Sequence, residues 1–261
     1  MLSARNLVVI FGTCLVIGAA CAQDAQPDPD SQSIAKPAVS RNATPPLTSE
    51  DRGDVYMARK MYREAVESYE QAPQDSAVIW NKMGIAYHQM LDLDAAMKRY
   101  RRAIKLDGKY PEAVNNLGTV YFAQKRYNRA IGYYKRALKL SPASAAFYSN
   151  LGTAYFAEKK TKEFLDAYNR ALQLDPEVFE HRNTFGVLLQ DRTVAERARY
   201  HFYLAELYAG KGRQDLALQY IRKALEEGFT DRKKFLQDPE FAAMRDLPEF
   251  KELLKLEPRV L

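Results

Sequence analysis

Acid–base or nucleophilic chemistry needs a convergent nucleophile, base and orienting group, and this sequence offers few parts for one. It has three His, at positions 88, 181 and 201, and two Cys, at 14 and 21. None stands in an H-E-x-x-H, Cys–His or Ser-centred motif, and no Gly-rich phosphate loop is present. His181, Arg182 and Asp191 are close enough in sequence to share a polar pocket, with His201 beyond, but surface ion pairing accounts equally for those residue types. The expectation is no catalytic residue, no metal site, no cofactor and no small-molecule substrate. An enzyme using residues 177–201 stands last among three classes of function.

Charge is the more informative chemistry. The net charge is +6, unevenly spread: residues 77–142 hold 13 Lys or Arg against 4 Asp or Glu, whereas 23–76 hold 6 against 10 and 143–261 are balanced. Arg101, Arg102 and Lys105 recur one interval later as Lys135, Arg136 and Lys139, with Arg170 beyond. Such a stripe draws a chain to an anionic surface, whether membrane head groups or an acidic partner. It also serves as an ordinary solvated face.

The interval belongs to the elements that carry these residues. Gly84, Gly118 and Gly152 lie 34 residues apart, as do Tyr87, Tyr121 and Tyr155, then Tyr100, Tyr134 and Tyr168, then Ala103, Ala137 and Ala171. Within a unit, Leu117, Gly118, Tyr121 and Phe122 follow helical spacing, and so do Ala130, Tyr134, Ala137 and Leu138. Each unit is therefore two amphipathic helices. One hairpin would leave an apolar face wet, so several must stack to bury a continuous core.

The aligned units, such as NNLGTVYFAQKRYNRAIGYYKRALKLSP, with Trp80 before Met83-Gly84 and closing Pro142 and Pro176, resemble the tetratricopeptide repeat. The resemblance implies an all-α solenoid of stacked antiparallel hairpins in a right-handed superhelix. It also implies a non-enzymatic scaffold that binds a protein or peptide segment in a concave groove lined by the first helices. By that analogy the groove holds Asn81, Ile85 and His88, then Asn115, Asn116, Thr119 and Phe122, then Ser149, Asn150, Thr153 and Phe156. Asn carries donors and acceptors for an extended backbone, and Phe122 and Phe156 offer apolar contact. Asn before Leu-Gly also occurs in such repeats merely to satisfy local backbone. The carboxylate clamp of related co-chaperones needs Lys and Asn on successive first helices, but the positions here are Asn81 and Ile85.

The array is expected over 48–228, as units 48–76, 77–110, 111–144, 145–176 and 198–228, with an insertion at 177–197 and capping helices over 229–261. The first unit is degenerate, 31 residues ahead of the next, and in the fifth Ala205 replaces Gly and Ile221 the second Tyr. The insertion reads equally as an unpaired helix or an irregular loop. Ahead of the array, residues 1–22 have the basic and apolar regions of a secretory signal peptide, and 23–47 form a Pro- and Asp-rich linker. Ala20-Cys21-Ala22 permits cleavage before Gln23, while Ala19-Ala20-Cys21 resembles the end of a lipobox with Cys21 as lipid carrier. Either route sends the chain to the periplasm or cell envelope, where nucleic acid is not an expected partner.

Overall fold

The computed structural model describes residues 46–180 and 193–257, which contain helices and their connections and no strand. The signal segment, almost all of the linker, Cys14, Cys21, His181, Arg182 and Asp191 lie outside the described residues. The helices pair as α1 (Ser49–Ala58) with α2 (Tyr62–Glu70), α3 (Ala77–Gln89) with α4 (Leu93–Leu106), and α5 (Pro111–Ala123) with α6 (Tyr127–Leu140). The series continues with α7 (Ala145–Ala157) and α8 (Thr161–Leu174), then α9 (Val194–Gly210) and α10 (Gln214–Glu226). Second helices pack on the first helix of the next hairpin, so the fold is the expected all-α stack.

Local chemistry sets the boundaries. Side chains of Ser76, Asp92 and Ser144 accept from the backbone N–H of Ile79, Ala95 and Phe147, relieving orphan donors at the starts of α3, α4 and α7. Thr48 with Asp51, and Thr193 with Glu196, form capping boxes. The second box starts α9 at Val194, ahead of the expected residue 198. Within each hairpin one turn recurs: the carbonyls of Tyr56, Tyr87, Tyr121, Tyr155 and Tyr208 accept from the N–H of Met61, Asp92, Arg126, Lys160 and Arg213 at 2.9–3.0 Å. This is the Schellman closure, and it puts the preceding residue in the left-handed region. Lys60, Leu91, Lys125 and Lys159 sit there at φ 59–62°, and Gly212 at 73°. A Cβ at such a site costs roughly 1–2 kcal/mol, which only the fifth turn avoids by using glycine.

The glycines of the first helices have a different role. A Cβ built on Gly84 would come within 2.5 Å of the Tyr100 ring, and one on Gly118 within 2.8 Å of Tyr134; Gly53 and Gly152 are closed in the same way by Tyr69 and Tyr168. All four rings are buried, so the backbone of each first helix rests on the aromatic face of its partner helix. In the fifth hairpin Ala205 and Ile221 are both fully buried in these two roles.

Two departures from the repeat are closed by specific contacts. The shortened connection after α2 is held by Gln74, whose amide donates to the carbonyls of Tyr69, Glu70 and Ala72, while Trp80 Nε1 donates to the Gln74 carbonyl at 2.8 Å. After α8, Val178 and Phe179 are buried, with Phe179 4.4 Å from Tyr168 between ring centroids. Beyond the undescribed residues, Tyr200 of α9 reaches the same place, its hydroxyl 3.0 Å from that of Tyr168. At the other end α11 (Lys233–Gln237), a 3-10 turn (Pro239–Met244) and α12 (Pro248–Leu253) cover the last hairpin. Phe202 stacks on Phe229 at 4.4 Å, and Phe235, Phe241 and Phe250 continue the aromatic seam.

Gly118→Ala is expected to destabilise the chain by about 1–3 kcal/mol, since Tyr134 has no room to yield. Urea denaturation of Gly118→Ala, Tyr134→Ile and the pair should show the double variant losing less than the sum of the singles, because the larger first-helix residue then meets a smaller neighbour.

Candidate partner-binding groove

The first helices α3, α5 and α7 bring the expected groove residues into register, and hydrogen bonds divide them into two sets. Asn150 Nδ2 donates to Asn115 Oδ1 at 2.9 Å, Asn115 Nδ2 to Asn116 Oδ1 at 3.3 Å, Asn116 Nδ2 to Asn81 Oδ1 at 3.0 Å, and Asn81 Nδ2 to the Tyr110 hydroxyl at 3.3 Å. The amides thus form one chain across three hairpins. Asn81, Asn115 and Ser149 are buried, while Asn116 and Asn150 are half-buried at its edge. An Asn amide has two N–H groups and each of these spends one in the chain, so the half-buried Asn116 and Asn150 each keep a second N–H at the edge.

The hydroxyls behave similarly. Tyr134 donates to Thr119 Oγ1 at 3.3 Å, and Thr153 Oγ1 lies 2.8 Å from the Tyr168 hydroxyl. A buried phenol needs a partner, and the half-buried threonines supply it. Burial pushes the Tyr168 phenol up to about 12, with the Thr153 hydrogen bond working the other way. The same register position carries Asp54 in the first hairpin, where Tyr69 donates to its carboxylate at 2.7 Å. It carries half-buried Ile85 in the second, and Glu206 in the fifth. Glu206 was not among the expected site residues. Counting from Tyr155 to Tyr208 would have found it at the Thr153 position. With Ile221 replacing the phenol, burial first and then Glu240 and Asp238 raise its carboxyl to about 7.

Of the apolar positions, Phe122 is half-buried and 5.2 Å from Tyr127. Phe156 is buried against Phe164 and Tyr200, because α9 packs over it; its expected place in an open groove is therefore corrected to core. His88 is half-buried, with burial lowering its pKa. His201 is buried, its Nδ1 2.8 Å from Glu227 Oε2 while Arg197 Nε holds Glu227 Oε1 at 3.2 Å, a pairing that ties α9 to the end of α10. The basic stripe is exposed throughout: Arg101, Arg102, Lys105, Lys135, Arg136, Lys139 and Arg170 form no ion pair among the described residues. Arg102 lies over Trp80 and Lys135 over Tyr155, 5.7 and 5.6 Å from the ring centroids. Among the described residues no group of three or more His, Cys, Asp or Glu is placed to hold a metal ion, and no described helix is long and apolar enough to cross a membrane.

Family models described as TPR repeat or tetratricopeptide repeat match residues 92–125, 118–159, 145–178 and 186–231. The chain belongs to the tetratricopeptide-repeat family. No curated protein matches it in sequence. Among solved structures it is similar to a crystal structure of MamA, at 23% identity over 70% of this chain and 98% of that one, with a TM-score of 0.47. MamA from Desulfovibrio magneticus RS-1 aligns at 20% identity over 70% and 94% of the two chains, with a TM-score of 0.48. YrrB, a tetratricopeptide-repeat protein with an unusual peptide-binding site, aligns at 17% identity over 70% and 86%, with a TM-score of 0.45. Within the family register, the match at 186–231 brackets α9 and α10, the hairpin in which Ala205 and Ile221 replace glycine and tyrosine.

The raised carboxyl of Glu206 has a pH signature. An acid whose folded pKa lies above its unfolded value stabilises the fold below the unfolded pKa and loses that contribution as pH rises through the folded one. For Glu206 the window runs from the ordinary value of 4.5 up to about 7. Thermal melts of Glu206→Gln should match the parent near the lower limit and exceed it above the upper one.

Proposed function

We propose that this tetratricopeptide-repeat protein is a non-enzymatic scaffold that holds a segment of a partner protein along α3, α5 and α7. The observation that carries the reading is the band of half-buried residues on those three helices: Ile85, His88, Asn116, Thr119, Phe122, Asn150 and Thr153. It combines amide donors aligned by the amide chain with an aromatic and an aliphatic side chain, the chemistry that bonds an extended backbone and shelters its apolar side chains. Lys82, half-buried in the register of Asn116 and Asn150, is already paired with Glu50 and Asp54, so the segment is recognised by backbone and shape rather than by a charged terminus. We place the scaffold in the periplasm or cell envelope, on the basic and apolar character of residues 1–22 and the polar linker after it.

A second reading rests on the stripe of seven exposed basic side chains. With Cys21 lipidated, or through that stripe alone, the protein would sit at an anionic envelope surface as an assembly component. The mass of the mature N-terminus separates the anchors: a Gln23 start excludes the lipid route, and a lipid-modified Cys21 start establishes it.

Groove binding is tested with the partner captured by the full chain and quantified against variants. His88→Ala with Phe122→Ala, and separately Asn150→Ala, should weaken capture by about tenfold or more, the scale of losing a buried contact or an unreplaced hydrogen bond. Lys139→Gln should leave it unchanged. Circular dichroism melts must coincide with the parent, and capture unaffected by the groove variants would sink the reading.

A further inference from the structure

Away from the groove residues, α5 and α6 meet around an open cavity of about 410 Å³ lined by Tyr121, Arg129, Gly132, Tyr133 and Arg136. Its aromatic wall is a stacked pair, Tyr121 and Tyr133, with ring centroids 5.2 Å apart and planes 17° from parallel. Arg101 Nη2 donates to the Tyr121 hydroxyl at 3.0 Å, and the guanidinium carbons of Arg126 and Arg129 lie 5.4 and 5.7 Å from the Tyr121 centroid. Arg136 reaches the Gly108 carbonyl at 3.3 Å. Two guanidinium groups, those of Arg129 and Arg136, therefore line the cavity, and those of Arg101 and Arg126 lie against its Tyr121 wall; none of the four is ion-paired among the described residues, and no carboxylate lines the cavity. Burial alone would raise the Tyr121 phenol, yet Arg101, with Tyr133 and Arg129, brings it below its ordinary value.

Tyr121, Arg101 and Arg136 recur with the repeat, but Arg129, Gly132 and Tyr133 do not. In the register of Arg129 the neighbouring second helices have Ala95 and Glu163, and in that of Tyr133 they have Arg99 and Ala167. Gly132 stands where they have Lys98 and Asp166. A Cβ there would meet nothing within 4 Å, so no close approach demands glycine. An exposed glycine inside a helix costs about 1 kcal/mol, and its one evident effect is to leave the mouth of the cavity open.

We propose that this cavity binds a phosphate group. Guanidinium forks present paired donors to its oxygens, and several uncompensated positive charges favour an anion carrying more than one negative charge. The stacked tyrosines fix the wall, and the Tyr121 hydroxyl, which accepts from Arg101, keeps a proton of its own to donate. A free phosphate and a lipid phosphomonoester share this chemistry.

Calorimetric titration of the full chain with pyrophosphate, alongside co-sedimentation with phosphatidylcholine vesicles containing or lacking phosphatidic acid, tests the site. Saturable binding is expected in at least one arm; pyrophosphate binding points to a free phosphate, and binding only to phosphatidic acid vesicles points to a head group. Gly132→Asp and Arg136→Gln should each weaken it by about tenfold or more, as for removal of a charge-assisted hydrogen bond. Gly132→Ala, which adds only a methyl group in open space, and Lys98→Gln, exposed on α4 outside both the stripe and the cavity, should bind like the parent. Absence of saturable binding in both arms overturns the proposal. So does a loss in Lys98→Gln equal to that in Gly132→Asp, which would mean nonspecific attraction to the whole basic face.

Discussion

Four of the five hairpins depend on the seating of a tyrosine ring against a glycine backbone, as in Gly118 on Tyr134. Two helices approach this closely only where one has no side chain, and the ring then supplies the apolar surface that a pair of short helices otherwise lacks. A further requirement follows. A ring buried this deeply carries a hydroxyl that favours a partner, and in three hairpins it comes from the first helix one residue after the glycine: Asp54, Thr119 or Thr153; opposite Tyr100 that position is Ile85. In those three hairpins one packing decision thereby goes with a polar residue at the edge of the groove.

That coupling gives the groove its character. Residues expected to face a partner are also the ones that satisfy the core and join successive hairpins. The amide chain from Asn150 to Tyr110 crosses two hairpin boundaries, so a partner bonded to Asn116 or Asn150 would engage groups already aligned by their neighbours. Less side-chain freedom is then lost on binding, which favours recognition of an extended backbone.

The interval between Gly84, Gly118 and Gly152 made the hairpins legible, because glycine, tyrosine and alanine at fixed spacing admit one kind of helix pair. Side-chain direction was less accessible. Asn115 and Asn116 are neighbours in sequence yet lie about 100° apart around a helix, so one is buried and the other stands at the edge. Phe122 and Phe156 hold the same register position but have different fates, because the α9 that covers Phe156 arrives after a connection that breaks the interval. The Arg129–Tyr133 cluster was hidden for the opposite reason: searching for what recurs passes over what occurs in a single unit.

The two ends of the stack are held by different forces. At the C-terminal end, Phe202, Phe229, Phe235 and Phe241 form a seam of rings indifferent to salt. The first hairpin is bound differently: Lys82 of α3 grips Glu50 at 2.7 Å and Asp54 at 2.6 Å, and Arg99 of α4 reaches Glu70 at 3.6 Å. A small separate apolar cluster joins it to α3: Ala65, Tyr69 and Ala72 against Ile79 and Met83. Partly exposed ion pairs weaken as ionic strength rises. The solenoid is therefore asymmetric in its response to its surroundings, with a leading hairpin whose docking the ionic medium tunes more than it does the ring-packed cover of the trailing end.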